Sequence, residues 1–197
     1  DPKSVTFDTG YGQDAIESFA VFQKLQSEGV IPTGVKFQVC IPTPLAPGYN
    51  FVSPSAQDDF IPVYTDHIIS EVRKIADAIP HERLSIQWDV CQEVLMWEDY
   101  YDYDRPGYKE EIFSVLGQIG DCVPAGVELG YHLCYGSPRD EHLVQPKDSS
   151  NMVEMMNGIA AAVNRTVEFF HIPVPRERED DAYFAPLSNL ALSDDTD

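Results

Sequence analysis

Basic residues are scarce in this chain of 197 residues, which has 13 Lys and Arg against 33 Asp and Glu and a formal net charge of -20 at pH 7. Such an excess of negative charge repels phosphate backbones and anionic lipid headgroups. We therefore expect no nucleic-acid partner.

Long apolar runs are also lacking. No segment has the roughly 20 consecutive apolar residues that cross a bilayer, and no basic-then-apolar leader stands at the amino terminus. The sequence predicts a soluble chain with no membrane partner. Its 43% hydrophobic and 11% aromatic residues are enough for a packed core, and we expect one domain over residues 1–197.

Several short motifs are absent. The four cysteines, Cys40, Cys91, Cys122 and Cys134, never form a CxxC pair, which excludes a zinc ribbon or a thioredoxin-type motif. An even number of cysteines permits disulfides, but we expect reduced thiols in a core and a cytoplasmic location. There is no GxGxxG, P-loop lysine or GxSxG pattern, so nucleotide-dependent chemistry and serine hydrolysis lose support.

Apolar runs typical of strands do recur along the chain. They lie at residues 35–41, 84–91, 127–135 and 167–174, at intervals of roughly 40 to 50 residues. Between them, helical periodicity predicts four helices. The first begins near Asp14, which with Glu17 resembles a capping box, and the fourth begins near residues 148–150. The second includes residues 60–75, with Pro62 near its amino end, and the third includes residues 112–119. Strict alternation predicts an α/β fold with a parallel sheet, because parallel neighbours need a long crossover.

Side-chain parity divides these strands into two faces. In the run VELGYHLCYG, every second residue from Val127 is apolar, while Glu128, Gly130, His132 and Cys134 share the other face. The first two strands alternate in the same way, and only the run 167–174 departs from it. One apolar and one mixed polar face favour a barrel lined for binding, since open doubly wound sheets bury apolar residues on both faces.

Polar side chains concentrate where these strands end. His132 and Cys134 suit a zinc ion, with His171 as the natural third ligand and Cys91 as another candidate. The competing interpretation is a hydrogen-bonded interior histidine beside a small buried thiol. Asp89 and Glu93 could bind a substrate amine or act as acid and base, or Glu93 could simply cap a loop.

Two charged runs, at residues 98–104 and 176–181, are interpreted as exposed loops rather than metal sites.

The ordered motifs IPTP, IQWDVCQE and YHLCYG, followed by HIPVPR, resemble the catalytic barrel of cobalamin-independent methionine synthase and its relatives in the uroporphyrinogen decarboxylase and methionine synthase superfamily. The resemblance implies a TIM-type (βα)8 barrel, of which this chain covers about four βα units. It also implies a zinc-dependent methyltransferase-like activity on a small thiol or amine. The carried-over residues are Gln87, Asp89 and Glu93 for the substrate amine, Thr43 of IPTP for the substrate, and His132 and Cys134 for zinc.

Two departures from the family pattern leave alternatives open. The strand after His-x-Cys carries His171 where the family has a ligand glutamate, and no strand supplies the family's last cysteine ligand. Half a barrel leaves strand edges unpaired. We therefore expect this chain to be a fragment of a longer protein, to assemble as a homo-oligomer, or to be no longer an enzyme. The alternative function is a non-catalytic binding protein for a small molecule or sugar; a decarboxylase is third, because the arginines are scattered.

Overall fold

Helices separate the consecutive strands of the described chain, as the sequence predicts, but two α-helices rather than one lie between the first and second strands and between the second and third. A computed structural model describes residues 5–101 and 106–197, so residues 102–104 of the predicted acidic loop lie outside the described part. The strands are β1 (Phe37–Pro42), β2 (Leu84–Val90), β3 (Glu128–Leu133) and β4 (Phe169–His171). The helices are α1 (Tyr11–Ser27), α2 (Leu45–Phe51), α3 (Pro54–Ala78), α4 (Gln92–Trp97), α5 (Tyr108–Asp121), α6 (Ser150–Ala162) and α7 (Asp181–Phe184).

The four strands form one parallel sheet in the order β1-β2-β3-β4, which confirms the α/β class. Strand β4 is shorter than the predicted run 167–174, since Pro173 and Pro175 have no amide hydrogen for a ladder. At its outer edge, Asp197 donates its N–H to the carbonyl of Glu168 and accepts from the N–H of Phe170, both at 2.9 Å. This is the parallel pattern, and it extends the sheet by one residue beyond β4.

The apolar face of the sheet is continuous across all four strands. Ile41 pairs with Trp88, Trp88 with Tyr131, and Tyr131 with Phe170. Ile41, Trp88 and Tyr131 are fully buried. The Tyr131 hydroxyl donates to the carbonyl of Leu116 in α5 at 2.8 Å, so this face packs against helices as the parity predicts.

The opposite face is partly open. Gln38, Cys40 and His171 are exposed, while Asp89 and His132 are half-buried. The sheet therefore presents polar side chains to solvent on the face that carries the predicted site.

Helix α1 begins three residues before the predicted Asp14. Its N-cap is Gly10, in the left-handed region at φ 73°, and no side chain caps it locally. Instead, a carboxylate from α3 serves the first turn, because Glu71 Oε2 accepts from the N–H of Gly12 at 2.7 Å. A long-range contact of this kind has no local sequence signature, which is why the capping-box prediction at Asp14 was wrong. Gly29, at φ 74°, follows the helix end as expected.

Helix α3 begins at Pro54, earlier than its apolar stripe indicates. Pro54 stands in the first turn after Ser53, where proline is well tolerated. Pro62 therefore lies in the interior of the helix rather than near its amino end, so that expectation was wrong. Close by, the Thr65 hydroxyl donates to the carbonyl of Ile61 at 2.7 Å.

Among the described residues, no helix is both long enough and apolar enough to span a membrane.

Candidate functional site

Three predicted site residues form a row across the sheet near the carboxyl ends of the strands. Asp89 pairs with His132, and His132 pairs with His171, in the parallel register. Neighbouring strands are separated by about 4.8 Å, so these side chains are direct neighbours on the polar face. The centroids of the two imidazole rings are 4.5 Å apart. The sheet thus brings together residues that are about 40 positions apart in sequence.

Gln87 precedes Asp89 by two residues on β2, so both side chains lie on the same face, where Gln87 holds Asp89 in place. Its amide nitrogen donates to Asp89 Oδ1 at 2.8 Å and to the Cys40 sulfur at 3.3 Å. Its amide oxygen accepts from Gln38 Nε2 at 3.0 Å. Gln87 is only 7% exposed, so this network fixes the carboxylate orientation. The sequence predicted Gln87 and Asp89 as site residues, but it did not single out Gln38 or Cys40.

Phe169 occupies the same face, next to the row. It pairs with Gly130, and its ring fills the space where a Cβ on Gly130 would stand. This accounts for the departure of the fourth strand from simple alternation, because the missing side chain on β3 makes room for an aromatic ring on β4. A glycine on a polar strand face was the sequence signal for this contact.

Cys134 lies just beyond β3, beside Cys91 and His132. Its N–H donates to the carbonyl of Val90 at 3.3 Å, and its sulfur accepts from the N–H of Gly136 at 3.3 Å. A hydrogen-bonding interaction with Cys91 is the main reason that the pKa of Cys134 is lowered, and His132 acts in the same direction. The same interaction raises the pKa of Cys91. Cys134 is therefore the more acidic thiol of the pair.

His132 also interacts with Cys134, and its pKa changes as a result. The interaction with Cys134 raises the pKa of His132, while partial burial opposes the rise. The ring atom Nδ1 is buried and has no hydrogen-bond partner among residues 5–101 and 106–197. A buried ring nitrogen without a partner is an available ligand or hydrogen-bonding atom.

Glu93 and Thr43 form a separate buried pair at the same end of the sheet. Both side chains are fully buried, and the Thr43 hydroxyl donates to Glu93 Oε1. Burial raises the pKa of Glu93 to about 7, the hydrogen bond from Thr43 lowers it in part, and the negative charge of Cys134 raises it. The second carboxylate oxygen, Oε2, has no partner within the described part of the chain. Glu93 is therefore a fully buried carboxyl group whose pKa is raised toward neutral pH.

The same residues include the predicted metal ligands. Within the two described ranges, His, Cys, Asp and Glu side chains form no group of three or more that could hold a metal ion as they stand. The donor types nevertheless suit zinc, with the imidazoles of His132 and His171 adjacent and the Cys134 sulfur in contact with His132. Coordination by all three residues requires side-chain rotation from this arrangement.

Comparison of the chain with protein-family models, with curated proteins and with solved structures gives no significant match. The resemblance to the methionine synthase superfamily therefore rests on the sequence motifs alone. Residue roles taken from that resemblance are proposals, whereas the contacts described above belong to this chain.

Proposed function

We propose that this protein is a zinc-dependent methyltransferase-like enzyme acting on a small thiol or amine substrate. The observation that carries the proposal is the convergence of a carboxylate, two imidazoles and a free thiol (Asp89, His132, His171 and Cys134) at the carboxyl ends of parallel strands. Ligands of α/β folds bind at that end of the sheet.

The proposed architecture is four consecutive units of a TIM-type (βα)8 barrel. Sequential parallel strands, helices against the apolar face and a polar, partly open opposite face support it. The backbone of Asp197 marks where a next parallel strand would lie. Closure would require further strands, either from a longer chain or from a second copy of this one, because barrels have no free edges.

The donor set defines what each residue would do. His132, Cys134 and His171 would hold zinc, which when bound stabilises a substrate thiol as its nucleophilic thiolate. Asp89, oriented by Gln87, would bind a substrate ammonium group through its negative charge.

Glu93 and Thr43 complete the proposed site. With a pKa of about 7, Glu93 can give or take a proton near neutral pH, as an acid–base group should. Thr43 holds one carboxylate oxygen, while Oε2 is buried and has no partner among the described residues. The four free cysteines support a reducing, cytoplasmic location.

The test is the metal content of untagged protein purified without chelators, measured by elemental mass spectrometry. We expect one zinc per chain, and we expect His132→Ala and Cys134→Ser each to lose it. His81→Ala and Cys122→Ser are matched controls that should retain it, because neither residue belongs to the site. A metal-free wild-type protein, or equal zinc in all variants, would refute the proposal.

A second function, non-catalytic binding of a small molecule or sugar, is favoured by one observation. The Phe169 ring covers Gly130 on the polar face, Gly130 pairs with Gln87 on the next strand, and an aromatic ring near amide groups is a common combination in small-molecule sites. Binding that survives loss of both His132 and Cys134 but is weakened by Gln87→Ala would support this function. Calorimetric titration of a ligand found by thermal-shift screening would measure it.

A further inference from the structure

We propose that Cys91 and Cys134 form a reversible disulfide that removes both free thiols from the carboxyl end of the sheet. This inference does not depend on zinc, because it follows from the positions of the two thiols alone. All four cysteines are free in the structure described above, which is the reduced form.

The strand register places the two cysteines opposite each other. Val90 pairs with Leu133, so the next step along β2 and β3 brings Cys91 beside Cys134. The N–H of Cys134 still bonds the carbonyl of Val90 at 3.3 Å, so the two chains stay adjacent there. Neighbouring strands are about 4.8 Å apart, and disulfides span Cα separations of about 4.4 to 6.8 Å.

The side chains meet the remaining requirements. Each thiol shifts the pKa of the other through a hydrogen-bonding interaction, in agreement with the register. Both residues are partly accessible, so a small oxidant can reach them. A bond between them therefore needs side-chain rotation but no separation or sliding of the strands.

The other two cysteines cannot replace either partner. Cys40 pairs with Gln87, which precedes Cys91 by four residues, or about 13 Å of strand. Cys122 follows α5, before the amino end of β3, whereas Cys134 lies beyond its carboxyl end, about 20 Å along the strand. The geometry thus selects one pair out of six.

The reaction is thiol–disulfide exchange with a small disulfide such as oxidised glutathione. One protein thiolate attacks the glutathione disulfide, breaks its S–S bond and releases one glutathione as thiolate. The second cysteine, after losing its proton to solvent, attacks the mixed disulfide and releases the other glutathione. Two protein thiols are oxidised and one glutathione disulfide is reduced to two glutathione molecules.

The test uses the intact chain with EDTA present, incubated with oxidised glutathione and then alkylated. We expect wild type to lose two of its four alkylatable thiols and peptide mapping to show a Cys91–Cys134 cross-link, which dithiothreitol reverses. The double variant Cys40→Ser with Cys122→Ser should still form the cross-link. Cys91→Ser should instead accumulate a glutathione adduct on Cys134.

Full alkylation of Cys91 and Cys134 under oxidising conditions, or a cross-link through Cys40 or Cys122, would overturn the inference. The peptide map of wild type needs no variant, so a folding defect in a serine variant cannot obscure the result. Zinc content of the reduced protein is measured separately. A cross-link without zinc would refute the proposed function alone, and zinc without a cross-link would refute this inference alone.

Discussion

Replacing Glu93 by Gln tests whether the most deeply buried acidic group of the site controls the pH dependence of stability. Glu93 is fully buried, and burial raises its pKa from the ordinary value of 4.5 to about 7. A protonated Glu93 therefore stabilises the folded state. That contribution is complete below pH 4.5 and is lost as the pH rises through 7, because the unfolded chain ionises first.

The size of this effect follows from the two pKa values. Each tenfold change in proton affinity is worth about 1.4 kcal/mol, so the full loss is about 3 kcal/mol. The Gln side chain keeps an acceptor for Thr43 and cannot ionise. We expect the free energy of unfolding of Glu93→Gln, relative to wild type, to rise by up to about 3 kcal/mol between pH 5 and pH 8.

The assay is urea unfolding of both proteins across this pH range in metal-free buffer. A difference in the free energy of unfolding that is the same at every pH reports only how well the amide packs. The change of this difference with pH is therefore the readout. Glu179→Gln, at an exposed position, is the matched control and should follow wild type. Thr43→Val removes the hydrogen bond that lowers the pKa of Glu93, so it should move the wild-type transition to higher pH. If the free energies of unfolding of wild type and Glu93→Gln change with pH in parallel, the reasoning is refuted.

Three further substitutions test the sheet that positions the site. Gly130→Ala should destabilise the fold by about 1 to 3 kcal/mol, since its Cβ would overlap the ring of Phe169. Arg165→Lys should cost about 2 kcal/mol, because the guanidinium donates to four backbone carbonyls, of Val123, Pro124, Val127 and Thr166, at 2.7 to 3.2 Å. Tyr131→Phe should cost about 1 kcal/mol through the lost bond to Leu116. Chemical denaturation measures all three.

Each of these substitutions has its own check. A smaller side chain at Phe169, such as Leu, should recover part of the loss in Gly130→Ala; no recovery would mean that the overlap is not the cause. The loss of stability in Arg165→Lys is compared with the loss in Arg178→Lys, because the Arg178 guanidinium also donates to two backbone carbonyls. If Tyr131→Phe equals wild type, the buried hydroxyl contributes no net stability.

The amino-acid sequence by itself determined the class of fold and the two faces of the sheet. Alternation of apolar residues with period two and period 3.6 is a local property, since it reflects how successive side chains project from a strand or a helix. The four strands, the parallel order and the apolar face of Trp88 and Tyr131 were predictable for this reason. So was the position of the polar residues at the strand ends.

Register and burial were decided only by the tertiary structure. The row of Asp89, His132 and His171 depends on how three strands align, and the ring of Phe169 enters the space at Gly130 only after β3 and β4 pair. The pKa of Glu93 likewise depends on complete burial. These properties come from contacts between residues 39 or more positions apart, whose energies no local pattern records.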